Sequence, residues 1–585
     1  MKKYIYIIMC GLVSTLLISC QDFLDVNTDP DTPITITLDQ AIPTACFYAA
    51  QINYDHAEYG VYMSQALTTS GKSQTGSYPY SQGWEFLGVN RHPMWRRHFY
   101  DLGNNIAKMN EIAEQQGSLN YKLVGRTIML MSTMMTTDLF GDMPRSEAYL
   151  KSSPKYDSQE EIYEWLFEEA DQLVKDFEDP EWTKGVPIPV TSDRIYQGDL
   201  KKWAVFAKAL RCRLWLRKLP NWDNTPATCQ KIIQMVDEVL NDPNWQEPRY
   251  HYPGGVTESN CPWGSTCPKI NSWESRDNRL ASSIPTTFFG KALLGAYNAK
   301  HTTWGFALDP RADRMMTPRS ASSMGAEAIR YLESNIGMDN SMKVTYYPDL
   351  YAGNGNNPYT QNTGYIALIT QEELMFIKAE AQYWAGDKTG AFNTTYDATM
   401  FNMERYGVQH TTSAAQKIFD NFWEVRFPGE SEFTIADLMQ QKYIAMYLQE
   451  EQWTDLRRYN YSSKTNGIYY DGVPVYTVKI RMGSRYNASA YTGEYSLRRP
   501  FNLYAPYWDQ PDCYVDASKA VYSPNAWVNR LNPDTETETK YNKAELIRIG
   551  AATEAGVDYH WMQKHMIWAM KNSPVCTVSN GIEWK

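Results

Sequence analysis

The chain has 585 residues, of which 43% are hydrophobic and 21% are charged, and 67 acidic against 56 basic side chains give a net charge of −11. This composition is that of a globular protein with a large core, and helical-repeat folds reach this length as one unit. The negative charge argues against a nucleic acid partner, because phosphate backbones are bound by basic faces.

Residues 1–19 have the pattern of a lipoprotein signal peptide. Lys2 and Lys3 precede an apolar run that ends at Leu17-Ile18-Ser19-Cys20. A basic start, a short apolar run and small residues before a cleavage site are typical of secretory signals. The run is shorter than the roughly 20 residues that span a bilayer. We therefore expect cleavage before Cys20 and lipidation of its thiol. An ordinary signal peptide is the alternative.

Residues 20–35 are predicted to be a polar tether, because Asp, Asn, Thr and Pro crowd together there. Segment 25–31 spaces oxygen ligands as a calcium loop does. However, Pro30 stands where an EF-hand needs Gly, and Ile36 stands where it needs Glu. We therefore predict no metal site and no cofactor, although the sequence leaves calcium binding open.

Apolar residues recur at helical spacing through residues 36–240 and 366–460, which predicts a helical scaffold. Ser158 with Glu161 and Thr370 with Glu373 are predicted capping boxes. Asp199 is a predicted N-cap. The predicted inward-facing stripes include Leu102, Ile106, Met109 and Ile112; Val124, Ile128, Met131 and Met135; Ile162, Leu166, Ala170, Leu173 and Phe177; and Leu200, Trp203, Phe206, Leu210 and Leu214.

Two more helices are predicted toward the C-terminus. One spans about residues 435–459, and Glu451, Asp455 and Arg458 are spaced for ion pairing along its surface. The other covers about residues 559–572. Helix pairs joined by short turns recur along the chain without a strict period of about 34 residues, so we predict loose tetratricopeptide-like packing.

Residues 241–365 and 461–585 are predicted to be loop-rich, with few short strands. Aromatic residues make up 14% of the chain, with 42 Tyr, 19 Trp and 19 Phe. Loops on a rigid scaffold often carry binding residues, and Tyr and Trp combine an apolar face with a polar tip. Each aromatic side chain in a loop could contact a ligand or could instead be a packing residue. Our candidate ligand-binding residues are the loop residues Tyr78, Tyr80, Trp84, Trp263, Trp273, Trp304 and Tyr346.

The nine cysteines do not form a predicted disulfide framework. Once Cys10 leaves with the signal and Cys20 carries lipid, an odd number remains, and none is spaced for zinc. Cys261 and Cys267 are close enough in the chain for a local bridge in an exported loop. The sequence leaves that pairing open.

Several motifs along the mature chain resemble those of the SusD/RagB family of nutrient-binding outer-membrane lipoproteins of the Bacteroidetes. After Cys20 they are Asn27-Thr28-Asp29-Pro30, residues 138–144, Tyr196 to Trp203 with Leu210-Arg211 and Arg217, Asp309-Pro310-Arg311, Glu373 to Ala381, Gln441 to Ala445, Trp453 to Arg458, and Arg499-Pro500. The match is only partial after Arg499.

The resemblance implies one SusD-like domain over residues 36–585, in which tetratricopeptide-like helix pairs carry a loop-rich ligand-binding portion. It also implies a lipid-anchored protein on the outer face of the outer membrane. Such a protein acts as a lid over a SusC-like TonB-dependent transporter.

We therefore expect a protein that binds an oligomeric nutrient without catalysis, with an oligosaccharide as the favoured cargo. Peptides are the alternative cargo, since Tyr and Trp also favour polypeptide partners. The sequence has no His-Glu-x-x-His and no Gly-x-Ser-x-Gly motif. The carboxylate pair of a glycosidase is assembled in space, which leaves a secreted hydrolase as a less favoured hypothesis. A purely structural scaffold is a further alternative.

Overall fold

The computed structural model is mainly helical, which confirms the predicted fold class. It describes residues 36–69, 92–266, 280, 283–294, 309–317, 347–351, 357–408, 411–427, 429–480, 493–499, 514–516, 521–522, 527–534, 537–570 and 576–578. In this part of the chain, no helix is both long and apolar enough to cross a membrane.

The longer helices, in chain order, are α1 (Leu38–Met63), α2 (Asn104–Gln115), α3 (Leu119–Phe140), α4 (Gln159–Glu178), α5 (Leu200–Leu216), α6 (Pro226–Leu240), α7 (Thr287–Leu294), α8 (Gln371–Trp384), α9 (Lys388–Arg405), α10 (Ser413–Arg426), α11 (Ile435–Ala445) and α12 (Glu451–Arg458). Neighbours in sequence pack together, as α2 with α3, α5 with α6 and α8 with α9. Helix α6 also packs against α8, so the N-terminal and C-terminal helices share one core.

The predicted apolar stripes of α2 to α5 face this core, as expected for amphipathic helices. Their members are buried except Ile112 and Leu200, which are partly buried. Trp203 of the α5 stripe is buried as predicted, and Trp453 is buried as well.

Two of the three predicted caps form completely. The Ser158 hydroxyl accepts from the Glu161 N–H at 3.2 Å, and the Glu161 carboxylate accepts from the Ser158 N–H at 2.8 Å. Asp199 accepts from the N–H of Lys201 at 3.0 Å. These side chains satisfy N–H groups that have no partner within the helix.

Only one of the two hydrogen bonds of the predicted Thr370 capping box forms. The Thr370 hydroxyl accepts from the Glu373 N–H at 3.2 Å. The Glu373 carboxylate accepts from Arg213 Nε at 2.6 Å and is not part of the cap. A buried guanidinium needs a counter-charge more than the helix end needs a second cap.

The single helix predicted over residues 435–459 is wrong. Helix α11 ends at Ala445 and α12 begins at Glu451. Between them Leu448 adopts a left-handed backbone with φ of +63° while its side chain is buried. Asp455 and Arg458 form an ion pair at 2.7 Å along α12. Its predicted position on the surface is wrong, because Glu451, Asp455 and Arg458 are all buried.

The predicted last helix is also divided. A 3₁₀ turn spans Tyr559–Gln563 and a short α-helix spans Ile567–Met570. The Met562 carbonyl accepts from the N–H of Asn529 at 2.8 Å, and the Lys564 carbonyl accepts from Arg530 Nε at 2.9 Å. Bonds to a distant segment have replaced the bonds of a continuous helix.

The short strands form two-stranded antiparallel pairs, consistent with the predicted few short strands. The pairs are Leu67–Thr69 with Ser283–Pro285, Met143–Pro144 with Tyr156–Asp157, Arg249–His251 with Tyr365–Ala367, Ile468–Tyr470 with Cys576–Val578, Thr477–Ile480 with Gly493–Ser496, Tyr514–Asp516 with Val521–Tyr522, and Ala552–Thr553 with Gly556–Val557. Several of them connect segments that are distant in the chain.

Candidate functional site

Many of the motif residues meet in a buried network of charges. Arg217 of α5 donates to Glu451 of α12 at 2.8 Å and to Asp138 of α3 at 3.0 Å. Arg458 donates to Glu380 of α8 at 2.8 Å and to Asp455 at 2.7 Å. All of these side chains are buried. These charged motif residues therefore join α3, α8, α12 and the end of α5 inside the scaffold.

The buried network shifts the pKa values of its carboxyl groups in different directions. Burial disfavours the charge of Glu451, but Arg217 and Arg213 outweigh burial and lower its pKa to about 2. Burial raises the pKa of Glu450 to about 8, although Arg213 Nη1 lies 2.7 Å from its carboxyl oxygen. Desolvation favours the neutral acid wherever too few cations compensate it.

A cleft of about 620 Å³ lies at the surface beside the start of α2. We call it the aromatic cleft, and its lining includes Trp95, Phe99, Tyr100, Tyr149 and Tyr541 together with Arg96, Lys151 and Glu538. Three of these rings are well exposed, with exposed fractions of 63% for Tyr100, 40% for Tyr149 and 69% for Tyr541. Exposed rings clustered at one concave surface are typical of a ligand-binding site.

A π-helix over Arg97–Gly103 presents part of this surface. Its Arg97 is buried and pairs with Asp55 at 3.2 Å and Asp101 at 2.7 Å, which anchors the inner side. Tyr100 is exposed, and the guanidinium of Arg96 lies 5.0 Å from its ring centroid. Short π-helical turns are frequent at functional sites, because they redirect side chains within a helix.

Tyr149 is held in a strained position at the cleft. Its φ is +66°, a conformation that non-glycine residues rarely adopt. Its hydroxyl donates to the His98 carbonyl at 3.2 Å and lies against Gly103, where a Cβ would be 1.8 Å from the hydroxyl oxygen. The π-helix therefore fixes this ring only because residue 103 is glycine.

The inner wall of the cleft combines packed rings with a partly buried carboxyl group. Trp95 lies 5.0 Å from Phe140 and 6.2 Å from Tyr156, centroid to centroid. The Tyr156 hydroxyl donates to Glu538 at 2.7 Å, and burial raises the pKa of Glu538. The arrangement offers apolar faces for stacking and polar groups for hydrogen bonds to one amphipathic ligand.

Of the seven predicted ligand-binding residues, Trp263 alone lies within the described residues. Its side chain is 2% exposed, and its ring centroid lies 4.8 Å from that of Tyr54 in an edge-on contact. This burial favours the packing interpretation, and a ligand contact at Trp263 stays a prediction. The residues outside the described part of the chain are Tyr78, Tyr80, Trp84, Trp273, Trp304 and Tyr346, as well as Cys20 and Cys267.

The sequence did not identify the rings of the aromatic cleft. The helical pattern that begins near Trp95 indicated a packing role for this segment. One signal was present for Tyr100, which lies off the stripe formed by Leu102, Ile106 and Met109. No local pattern distinguished Tyr149 or Tyr541 from the other aromatic residues of the chain.

The fold is thus a mainly helical scaffold of packed helix pairs with an open, ring-lined cleft at its surface. A SusD-like family model, described as "Starch-binding associating with outer membrane", matches residues 36–471. The chain belongs to this SusD-like family. No curated protein matches the sequence.

Solved structures share the fold at low identity. A SusD homolog from Bacteroides uniformis is 14% identical, with a TM-score of 0.58 over 90% of this chain and 99% of that one. A chitin-binding SusD homolog from Flavobacterium johnsoniae is 15% identical, with a TM-score of 0.57 over 92% and 98%. A SusD homolog from Parabacteroides distasonis is 15% identical, with a TM-score of 0.57 over 93% and 100%.

Proposed function

We propose that this protein captures an oligosaccharide at the outer membrane and delivers it, as a lid, to a SusC-like TonB-dependent transporter. The observation that carries the proposal is the family match over residues 36–471, whose description names starch binding and the outer membrane. The chitin-binding homolog from Flavobacterium johnsoniae supports glycans as the class of cargo.

The aromatic cleft has the chemistry that a sugar requires. The C–H face of a sugar ring can stack on Tyr100 or Tyr541, which are 63% and 69% exposed. Its hydroxyls can bond to Arg96, Lys151 or Glu538 at the same cleft. A few polar groups among apolar ones fix the orientation of a ligand in such a pocket.

Both acidic residues that line the cleft also make hydrogen bonds within the protein. Asp534 accepts from the His92 N–H at 3.1 Å and from the Thr537 hydroxyl at 3.1 Å. Glu538 accepts from the Tyr156 hydroxyl at 2.7 Å. These bonds hold the walls of the cleft together.

The predicted loop rings belong to the same proposal. Tyr78, Tyr80 and Trp84 lie in the segment that leads directly to His92, which lines the aromatic cleft. We propose Tyr78, Tyr80 and Trp84 as ligand contacts, as the sequence predicts. Trp263, Trp273, Trp304 and Tyr346 are proposed as further contacts.

Calorimetry with neutral glycans and with peptides tests the cargo. We expect Tyr100→Ala and Tyr541→Ala each to weaken oligosaccharide binding by about tenfold, since a stacked ring contributes about 1 kcal/mol or more. Tyr396→Ala is the matched control, because Tyr396 is 36% exposed and lies on α9, outside the lining of the cleft. Binding of peptides alone would replace the oligosaccharide with a peptide cargo, and binding of neither would refute the proposal.

The membrane anchor and the transporter need a separate test. We expect mass spectrometry of the mature N-terminus to find acyl chains on Cys20, and Cys20→Ala to release the protein from membranes. Purification of the native protein in mild detergent should recover a large β-barrel partner. An unacylated protein without such a partner would contradict the proposed lid.

A further inference from the structure

A second cleft, of about 670 Å³, lies between the turn after Val190 and the start of α8. We call it the polar cleft, and its lining includes Thr191, Arg194, Gln197, Gln246, Arg249 and Gln371. None of these residues lines the aromatic cleft. Val190, which is 64% exposed, and the partly buried Phe401 add apolar surface.

One wall of the polar cleft is a rigid turn. The buried Asp193 carboxylate accepts from the N–H groups of Ile195 at 2.9 Å, Tyr196 at 3.0 Å and Gly198 at 2.9 Å. Within this turn Gln197 has a φ of +57°. Strained backbone that is held by surrounding bonds is frequent at ligand-binding sites. The exposed Gln197 side chain is therefore carried on a fixed backbone.

An anion in the polar cleft would bind at the start of α8, but a carboxylate of the protein already lies there. The buried Glu247 carboxylate accepts from the Gln371 N–H, at the start of α8, at 2.7 Å. It also accepts from Arg249 Nε at 2.8 Å and from Arg405 Nη1 at 3.0 Å. Arg405 also pairs with Glu372, so two buried carboxylates face the two guanidinium groups and the helix N-terminus. This inner wall therefore favours an uncharged ligand. The exposed Arg194 also lines the cleft.

Several other polar side chains that line the cleft have hydrogen-bonding groups without a partner among the described residues. The side chains of Thr191, Gln197 and Gln246 make no hydrogen bond to any described residue. Gln371 Oε1 accepts from Trp245 Nε1 at 3.3 Å, and no described residue accepts from the Gln371 amide nitrogen. Amide and hydroxyl groups both donate and accept, as sugar hydroxyls do.

We propose that the polar cleft is a second carbohydrate-binding site, for a neutral, polyhydroxylated oligosaccharide. This inference rests on the proposed function and adds a contact surface distinct from the aromatic cleft. Thr191, Gln197, Gln246 and Gln371 bond the hydroxyls of the ligand. Val190 and Phe401 contact its C–H faces. A long glycan that reached both clefts would gain from bivalent attachment.

The test uses the full-length protein in detergent and calorimetry with maltoheptaose and chitohexaose as neutral probes. We expect two binding events in the wild type. The double variant Tyr100→Ala and Tyr541→Ala should lose binding at the aromatic cleft and keep one event, at the polar cleft. Adding Thr191→Ala and Gln246→Ala should weaken the surviving event by about tenfold, the loss expected for two hydrogen bonds. Gln230→Ala, an exposed glutamine on α6, should change nothing.

The outcomes separate this inference from the proposed function. If neither probe binds the wild type, both proposals fall. The wild type could instead show one binding event, which the aromatic-cleft variants abolish and which Thr191→Ala and Gln246→Ala leave unchanged. That result would refute the second site alone. If oligogalacturonate binds more tightly than the neutral probes and loses that advantage in Arg194→Gln, the ligand of the polar cleft is acidic and the neutral class is wrong. An unchanged midpoint of thermal unfolding in each variant confirms that folding is intact.

Discussion

Arg213 is a single buried residue that makes several charged contacts inside this scaffold. Its buried guanidinium donates to Glu373 at 2.6 Å and to the Leu368 carbonyl at 2.9 Å, and it lies 2.7 Å from Glu450. Taking these charges out of water is costly, and their attraction offsets that cost only while every partner is present. Removing one member would leave a buried carboxylate without its counter-charge.

We therefore expect Arg213→Leu to lower the free energy of unfolding by about 3–5 kcal/mol. Arg211→Leu is the matched control on the same helix. Arg211 pairs with Asp171 at 3.4 Å and Glu238 at 3.3 Å near the surface, where such pairs contribute about 1 kcal/mol or less. Urea unfolding of both variants measures the difference. Equal losses would show that the network adds nothing beyond ordinary ion pairs.

At the scale of elements, the π-helix at Arg97–Gly103 connects the core to the aromatic cleft. Its inner side is fixed by Arg97, while Tyr100 is exposed at the cleft. Gly103 leaves the space in which the Tyr149 hydroxyl lies. The shape of the cleft therefore depends on the helix keeping its wider turn.

Gly103→Ala should displace Tyr149, because the new Cβ would lie 1.8 Å from its hydroxyl oxygen and 2.6 Å from the His98 carbonyl oxygen. We expect a loss of about 1–3 kcal/mol in the free energy of unfolding, as for overpacked cores, together with weaker oligosaccharide binding. Gly60→Ala in α1 is the control, since its nearest neighbour would be 3.7 Å away. It should be neutral or stabilising by up to ~1 kcal/mol. A Gly103→Ala protein with unchanged binding would show that Tyr149 does not shape the site.

At the scale of the whole molecule, several histidines are buried in the neutral form. Burial lowers the pKa of His56 and His98 to about 3 and that of His92 and His565 to about 4. All four values lie below the value of 6.5 for an unfolded chain. Below pH 6.5 the unfolded state therefore binds more protons than the folded state, so stability is full above pH 6.5 and is lost as the pH falls toward 4.

Unfolding in urea at pH 7, 6 and 5 should thus show a falling free energy, with each histidine contributing about 1.4 kcal/mol per pH unit. Glu450, with its pKa raised to about 8, opposes this trend, since its neutral form is favoured on folding. His56→Leu should make the free energy of unfolding depend less steeply on pH, because one fewer proton is bound on unfolding. Gln230→Ala, which changes an exposed side chain that does not titrate, should leave the pH dependence unchanged. A free energy that does not fall between pH 7 and pH 5 would contradict neutral burial of these histidines.

The sequence by itself determined the local features. Apolar stripes at helical spacing located α2 to α5, and Ser158 and Asp199 marked two helix starts that the structure confirms. These signals lie within a few residues of one another, because a helix turn and its cap involve only near neighbours in the chain. The resemblance of the motifs likewise indicated the family.

Only the tertiary structure decided which charges are buried and which rings meet at a cleft. Arg217 and Glu451 are 234 residues apart in the chain yet form one ion pair, and Tyr100, Tyr149 and Tyr541 come from three distant segments. The spacing of Glu451, Asp455 and Arg458 suits an exposed helix and a buried one equally well. Burial and clefts arise from packing between distant segments, and no local pattern records that packing.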